Sequence, residues 1–399
     1  MDNPCNLLSL SSKITESLRM MDKIINPFVI KGFVAKELFC DREKELSELM
    51  LNIRSGVDTT LIAIRRMGKT GLIMRTFSEL EQTASGITTI YVDIYSSRNL
   101  SDFVKLLAEA ILKKFPEKTL VGQMFLELLK TLRPLISYDS MTGEPQVTIT
   151  YQTPAEKEYT LQGLLAFLEK QASRVVVAID EFQQITEYPE QNVEALLRTY
   201  IQQMKNVTFI FCGSKRTLMI DMFGNVKRPF YSSTRYLHLD RIAENEYAAF
   251  IQRLFTEYGM TVEKEAIDFI LFWTECYTFY TQSLCHLLFS QGNKNISIEV
   301  VKQACLALLN QNEPVFLQYR EFLTSAQWNF LIAVAKERTV TQITSQRFIS
   351  AYHIGTPANA RRIMKSLIDK ELILSVPDKR QTSYRVYDVF FSRWLEREY

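Results

Sequence analysis

The sequence predicts an α/β fold, a parallel three-layer sheet, that is followed by a helical domain and a winged helix-turn-helix domain. Apolar strand patterns alternate with helical patterns from residue 59 to residue 239, which is typical of a parallel sheet covered by helices. Strand patterns end near Ala243, and helical periodicity replaces them. From Glu313 onward three helices precede a hairpin, the element order of a winged helix-turn-helix.

These changes of pattern also predict where the domains begin and end. Around a Thr-Gly-Glu-Pro turn, apolar and polar residues alternate, which indicates a β-hairpin that we expect to project from the core as an insertion. We expect a helical N-terminal segment at 1–30, an α/β core at 31–242 with the hairpin insertion near 136–151, a helical domain at 243–312 and a winged helix-turn-helix at 313–399.

Composition places the chain among ordinary soluble globular proteins. The 399 residues are 47% hydrophobic and 23% charged, and the net charge of +2 creates no global field that would demand nucleic acid or a membrane. Six scattered cysteines without a CxxC pair, and only three histidines, argue against a zinc site or a disulfide framework. The start lacks the pattern of a signal peptide, and no apolar run approaches a membrane span. We therefore expect a cytoplasmic protein that does not bind membranes.

The stretch from Thr59 to Leu72, TTLIAIRRMGKTGL, has the layout of a phosphate-binding loop: a short apolar strand, a tight loop, and a Gly-Lys-Thr triplet that opens a helix. Lys69 would reach the β- and γ-phosphates, and the Thr70 hydroxyl would bind Mg²⁺. The full motif has Gly where Ala63 stands, so the loop turns there in an ordinary conformation or is strained. The other expected nucleotide contacts in this loop are Arg66, Met67, Gly68 and Gly71.

A second stretch, RVVVAIDEF from Arg174 to Phe182, predicts a buried parallel strand that ends in two acids. Asp180 would help to hold Mg²⁺, and Glu181 would orient and deprotonate an attacking water molecule. Alone, the stretch could be a core strand with two terminal acids. Together with the phosphate-binding loop, it predicts binding of a nucleoside triphosphate with Mg²⁺.

A third apolar strand, Val207 to Ser214, ends in small polar residues. If this strand lies beside the other two, Ser214 would contact a γ-phosphate or the attacking water; otherwise it is a serine that starts a loop. For Asp93, near the end of another strand, we favour a loop-capping role over contact with a metal or its water shell.

The winged helix-turn-helix segment is locally basic, with thirteen Lys and Arg against nine acids. Basic side chains on its third helix and at the wing tip stand where they would meet DNA phosphates or base edges if that helix entered a groove. The alternative is a winged helix that contacts only proteins. The candidate contacts with double-stranded DNA are Arg361, Arg362, Lys365, Lys379 and Arg380.

These motifs resemble those of the archaeal-type ATPase family, in the AAA+/STAND branch of P-loop NTPases. The resemblance rests on RRMGKTGL, VVVAIDEFQQI, FIFCGS, PFYSSTRYLHL, the upstream NPFVIKGFVAKELFCDREKEL and the ending YRVYDVFFSRWL. It implies ATP rather than GTP, a helical lid, and a winged helix that completes an adenine pocket. It further implies that Lys69 and Thr70 serve phosphate and Mg²⁺, Asp180 serves Mg²⁺, Glu181 is the catalytic base and Ser214 is a sensor. By the same resemblance, Phe39 and Arg42 would lie near the base.

The chain departs from the family pattern twice. Ala63-Ile64 stands where the family has Gly-Pro, and Ser232-Ser233 stands where many members have Gly-Arg. Arg228 and Arg235 are nearby substitutes for that arginine, or a protein partner or second copy would supply it.

We therefore hypothesise a Mg²⁺-dependent ATPase that acts as a conformational switch and is slow or partner-stimulated. The alternatives are an ATP-regulated DNA-binding regulator or mobile-element accessory protein, and a nucleotide-binding scaffold that does not hydrolyse ATP.

Overall fold

The computed structural model describes residues 26–32, 36–83, 86–130, 134–138, 141, 143, 145–149, 154–376 and 381–399. Most of the helical segment predicted for residues 1–30 lies outside these residues. The chain divides into two compact units. One unit is Gly32–Ile242, and the other comprises Ala243–Tyr399 together with the described residues before Gly32.

The first unit contains a five-stranded parallel sheet in the order β2-β5-β6-β1-β7. The three strands in the middle of this order are buried along almost their whole length, because helices cover both faces of a parallel sheet. The strands are β1 (Thr59–Ala63), β2 (Ile87–Asp93), β5 (Arg174–Asp180), β6 (Val207–Gly213) and β7 (Arg235–Leu239).

Helices surround this sheet. Among the described residues, the helix that starts at Lys69 follows β1 and the helix that starts at Arg216 follows β6, each after a short loop, and β5 leads into a 3₁₀ helix at Phe182–Glu187. The helices of the unit are α1 (Glu43–Arg54), α2 (Lys69–Thr83), α3 (Leu100–Lys114), α4 (Leu120–Lys130), α5 (Pro154–Glu169), α6 (Val193–Ile201) and α7 (Arg216–Gly224).

The predicted hairpin consists of β3 (Pro134–Tyr138) and β4 (Pro145–Ile149), which pair antiparallel. The expectation that it projects from the core was wrong. Val147 is fully buried in the core of the unit, and its N–H donates to a Glu109 carboxylate oxygen on α3 at 2.8 Å. The buried Val147 side chain and this hydrogen bond hold β4 on the helix layer.

The register of the sheet brings the ends of its strands together. Asp93 lies opposite Asp180, and Ile62 lies opposite Gly213, so β2, β5, β6 and β1 end at the same edge. Ligands of open parallel sheets bind at this carboxyl edge. The polar residues that follow these strands are therefore neighbours.

The helical part of the second unit contains α8 (Glu244–Glu257), α9 (Lys264–Thr274), α10 (Thr278–Ser290) and the first half of α11 (Ile298–Glu321). Two short strands absent from the sequence prediction, β8 (Thr261–Val262) and β9 (Asn295–Ile296), pair in parallel. Helix α11 runs through Pro314, so the predicted domain boundary after residue 312 lies inside a helix. The helix continues because Phe316 packs on Phe391 and Trp394.

The winged helix follows, and its elements agree with the sequence prediction. Thr356 caps the third helix through the Asn359 N–H, and Pro357 occupies the first turn, where its missing N–H costs nothing. The elements are α12 (Ser325–Glu337), α13 (Gln346–Ala351), α14 (Pro357–Asp369), β10 (Ile373–Val376), β11 (Ser383–Val386) and α15 (Val389–Glu398), with β10 and β11 forming an antiparallel hairpin.

Candidate nucleotide site

The loop between β1 and α2 turns at Arg66 and Gly68, which have φ angles of 71° and 87°. Ala63 is the last, buried residue of β1, so the position without the motif glycine is simply extended. The Leu72 N–H donates to the Gly68 carbonyl at 3.0 Å and starts the helix. The loop therefore delivers Lys69 and Thr70 as the first residues of α2, where helix N–H groups favour an anion.

Lys69 lies between the two acids at the end of β5. Its Nζ is 2.6 Å from Asp180 Oδ1 and 3.3 Å from Glu181 Oε1. Burial by itself lowers the pKa of Lys69, but the negative charges of Asp180 and Glu181 outweigh that effect and raise it. Lys69 is therefore a cation held in place by two carboxylates.

Asp180 is almost fully buried and accepts several hydrogen bonds. Its Oδ2 accepts from Thr70 Oγ1 at 3.2 Å and from the Tyr91 hydroxyl at 2.8 Å. Its Oδ1 accepts from the Glu181 N–H at 2.9 Å. Burial, together with the charge of Asp180, raises the pKa of Tyr91 far above its usual value, so this hydroxyl stays protonated and donates.

Glu181 follows β5 in a left-handed conformation with φ of 55°. Its Oε2 accepts from the Ser214 hydroxyl at 2.7 Å and from Gln183 Nε2 at 2.5 Å. Burial raises the pKa of Glu181, but the Lys69 charge and these hydrogen bonds together lower it below its ordinary value. The side chain is thus an oriented carboxylate with a fixed set of donors.

Ser214 joins this network directly after β6, and Arg65 Nε donates to its hydroxyl at 3.2 Å. A Cβ at Gly213, just before it, would lie 2.3 Å from Gln183 Oε1 and 2.5 Å from the Met219 side chain, so a larger residue there would force these side chains to move. Gln183 thus packs on Gly213 while its Nε2 donates to Glu181.

Three residues of this network escaped the sequence analysis: Arg65, Tyr91 and Gln183. Tyr91 reaches Asp180 only because β2 pairs with β5, and a strand pairing is not readable from β2 alone. Gln183 stands two residues after the catalytic candidate Glu181, and this proximity was the one available signal.

The upstream residues Phe39 and Arg42 have different surroundings. Phe39 packs on the first turn of α2, since a Cβ at Gly71 would lie 3.5 Å from its ring. Arg42 is buried and donates to Glu45 Oε1 at 2.9 Å and to the Asp240 carbonyl at 2.5 Å. Arg42 therefore ties the start of α1 to the chain after β7, and its contact with a nucleotide stays a prediction.

The remaining candidates differ in their surroundings. Arg66 is exposed, and Met67 is buried in the loop. Asp93 accepts from the Tyr95 N–H at 2.9 Å, as a loop cap does, but it also lies opposite Asp180, and burial together with the charges of Asp180 and Glu181 raises its pKa. Arg228 pairs with Glu194 at 2.7 Å and with Asp221, while Arg235 lies opposite Thr59 at the start of β7, at the far edge of the sheet from the site.

In the winged helix, Arg361, Arg362 and Lys365 are all exposed on α14. Arg362 donates to Asn359 Oδ1 on the same helix at 3.0 Å, so its guanidinium lies along the helix surface. Lys379 and Arg380 lie outside the described residues. Arg361, Arg362 and Lys365 together form a basic face on α14, whose last residue, the acidic Asp369, is also exposed.

The parallel sheet, its phosphate-binding loop and the paired acids define a P-loop ATPase core joined to a winged helix. The chain belongs to the family described as "ATPase domain predominantly from Archaea", whose model matches residues 39–276. A second model, described as "Probable winged helix domain", matches residues 314–397.

Solved structures share this fold at low sequence identity. The Walker-type ATPase PABY2304 of Pyrococcus abyssi is 18% identical with a TM-score of 0.63, over 92% of this chain and 99% of that chain. The Aeropyrum pernix ORC2 protein in its ADPNP-ADP complexes is 14% identical with a TM-score of 0.58, over 94% of this chain and 96% of that chain. Comparison with curated proteins gave no match. Within the described residues, no helix combines the length and the apolar character that crossing a membrane requires.

Proposed function

We propose that this protein binds ATP with Mg²⁺ and hydrolyses it, and that the bound nucleotide sets its conformation. The observation that carries the proposal is the network of Lys69, Thr70, Asp180, Glu181 and Ser214, which unites three strand ends. The ATP-analogue complex of the ORC2 protein, which has the same fold, supports nucleotide as the ligand.

The residues present fit a magnesium ion. The Thr70 hydroxyl and the Asp180 carboxylate meet at 3.2 Å, and oxygen ligands of these two kinds, completed by phosphate oxygens and water, are what Mg²⁺ prefers. When bound, the ion would neutralise charge on the phosphates. Thr70 and Asp180 would hold it.

The chain's own groups account for the rest of the reaction. Lys69 would exchange its carboxylate partners for phosphate oxygens, and its raised pKa keeps it charged for that purpose. Glu181 would accept the proton of the attacking water, and its lowered pKa keeps it ionised. Ser214 and Gln183 would hold Glu181 in position until nucleotide arrives.

Measurements of ATP turnover and of ATP binding distinguish the role of Glu181 from that of Lys69. In Glu181→Gln we expect phosphate release to fall by about 10²–10⁴-fold while ATP binding persists, because the amide is not a base. In Lys69→Ala we expect ATP binding itself to be lost. Glu187→Gln is the matched control, since this exposed acid at the end of the 3₁₀ helix that follows Glu181 pairs with Lys215 instead. Unchanged ATP affinity in Lys69→Ala would overturn the assignment of this site.

A second function, contact with duplex DNA, is supported by the basic face of α14. We propose that Arg361, Arg362 and Lys365 bind phosphates or base edges. Changing Arg361 and Arg362 together to Gln should weaken duplex binding. The slope of the logarithm of the binding constant against the logarithm of the salt concentration should fall in magnitude by about two, one for each lost phosphate contact. Lys264→Gln, an exposed lysine on α9, is the control. Absence of any gel shift at low salt would exclude this function.

A further inference from the structure

Tyr91 reaches the nucleotide site from β2, the strand that pairs with β5. It lies opposite Ala178, and side chains alternate between the two faces of a strand, so Tyr91 and Asp180 project from the same face of the sheet. Two positions along a strand span about 7 Å, a distance that a long side chain can bridge. The Tyr91 hydroxyl donates to Asp180 Oδ2 at 2.8 Å, and this oxygen also accepts from Thr70 at 3.2 Å.

The donors to Asp180 differ in what nucleotide would do to them. Among the described residues, four groups donate to this carboxylate: the Tyr91 hydroxyl, the Glu181 N–H, the Lys69 ammonium group and the Thr70 hydroxyl. In the proposed function Lys69 turns to phosphate oxygens and the Thr70 oxygen turns to Mg²⁺. The hydroxyl of Tyr91 has no such second role. Tyr91 is therefore the side chain that would still donate to Asp180 when nucleotide is bound.

A neutral hydroxyl is well suited to hold this carboxylate. Groups that hydrogen-bond to a metal ligand fix its orientation, and losing one typically weakens metal binding by about 10–100-fold. A lysine or arginine at position 91 could also donate, but its positive charge would repel the cation that Asp180 is to bind. Asp180 is almost fully buried, so water would replace a lost donor poorly. Tyr91 thus orients Asp180 without adding positive charge to the site.

We propose that Tyr91 is a positioning residue of the magnesium site, whose hydroxyl holds the Asp180 carboxylate in the orientation that binds Mg²⁺ together with ATP. This inference rests on the proposed function, because it concerns the ion that accompanies ATP. Tyr91 acts through Asp180 and needs no contact of its own with the ion or with ATP. Loss of the hydroxyl should therefore weaken only the part of ATP binding that depends on Mg²⁺.

The test is calorimetric titration of the full chain with ATP, over a series of Mg²⁺ concentrations and in excess EDTA. In Tyr91→Phe, the Mg²⁺ concentration that gives half of the maximal gain in ATP affinity should rise by about tenfold. The ATP affinity in EDTA should equal that of wild type. Tyr95→Phe is the matched control, since Tyr95, just after the same strand, is 62% exposed.

Two further measurements separate the hydroxyl from the ring and from the fold. Tyr91→Leu removes the ring as well, and it should raise the Mg²⁺ requirement by the same factor as Tyr91→Phe, because the hydroxyl alone holds Asp180. Binding of Mn²⁺ in the presence of ADP, followed by the electron paramagnetic resonance signal of the free ion, should weaken by that factor too. Thermal unfolding of each variant shows whether its fold is retained.

The possible results distinguish a failure of this inference from a failure of the proposed function. If wild type binds ATP with Mg²⁺ and Tyr91→Phe has the same Mg²⁺ requirement, only the role of Tyr91 is overturned. Equal weakening of ATP binding with Mg²⁺ and in EDTA, or a much larger effect of Tyr91→Leu, would make Tyr91 a packing residue instead. No ATP binding by wild type, or binding that ignores Mg²⁺, would overturn the proposed function and this inference together.

Discussion

Burial changes the pKa of Asp58, a residue of the first unit. It precedes β1, and its Oδ1 accepts from the Phe209 N–H at 2.8 Å. Burial raises its pKa to about 6 from 3.8, although the Phe209 hydrogen bond and the charge of Arg198 oppose the change. The folded state therefore binds the proton more tightly than the unfolded state does. The free energy of unfolding should fall as the pH rises from about 4 to about 6.

Replacing Asp58 with Asn should prevent this fall in the free energy of unfolding. The amide keeps an acceptor oxygen for Phe209 but carries no charge, so we expect the variant to be more stable at pH 7 by about 1–3 kcal/mol. Near pH 4 the difference should almost vanish. Urea unfolding followed by circular dichroism at both pH values measures it. The exposed Asp268→Asn serves as control, and an equal gain at both pH values would refute the explanation.

At the residue scale, the sequence predicted the motif residues but not their partners. Lys69, Thr70, Asp180 and Glu181 follow from the chemistry of phosphate and Mg²⁺ at strand ends. Tyr91 does not, because its hydroxyl reaches Asp180 only through the pairing of two strands almost ninety residues apart. The left-handed turn at Arg66 was equally hidden, because the motif glycine is missing at Ala63 and an arginine carries no signal of a positive φ.

At the element scale, long apolar or periodic stretches predicted their elements well. The predicted strands starting at Arg174 and at Val207 agree with β5 and β6. Contacts between distant elements could not be predicted. Val147 packs the hairpin on α3, and residues 26–28 join helices more than two hundred positions later. Such contacts depend on how all the elements are arranged in space, and the local sequence pattern of one element does not predict them.

Phe28 allows a test of the contact between residues 26–28 and the helices of the second unit. Its fully buried ring lies 4.7 Å from that of Phe255 and 6.4 Å from those of Phe250 and Phe289. The Asn26 side chain donates to the His286 carbonyl at 2.8 Å and fixes the segment on α10. This short segment is therefore a structural part of the helical domain.

Phe28→Ala should destabilise the second unit by about 3–5 kcal/mol, because it leaves a cavity among three rings. The three tryptophans of the chain, Trp273, Trp328 and Trp394, all lie in this unit, so their fluorescence reports its unfolding selectively. Ile30→Ala is the matched control, since Ile30 is 43% exposed. Equal transitions for the two variants would show that the segment contributes no packing.

At the scale of the whole molecule, the helical domain and the winged helix belong to one compact unit. Glu275, at the end of α9, accepts from Arg385 of β11 at 2.8 Å, and Arg393 of α15 donates to the last carbonyls of α9. The rings of Trp273 and Tyr280 pack on Phe390 at 5.3 Å and 4.7 Å. A conformational switch driven by nucleotide should therefore move these two parts together.

Distance measurements between spin labels can show whether the helical domain and the winged helix move together. With one label at Lys264 in the helical domain and one at Lys370 in the winged helix, we expect ATP and Mg²⁺ to change the distance by less than about 2 Å. A pair with one label in each unit, at Lys118 and Lys370, should change by more. Glu275→Gln removes the charge that binds Arg385 and should broaden the first distribution, because the pairing costs about 1–3 kcal/mol to lose. If ATP instead separates Lys264 from Lys370, the winged helix moves independently and nucleotide acts at the junction between the two parts.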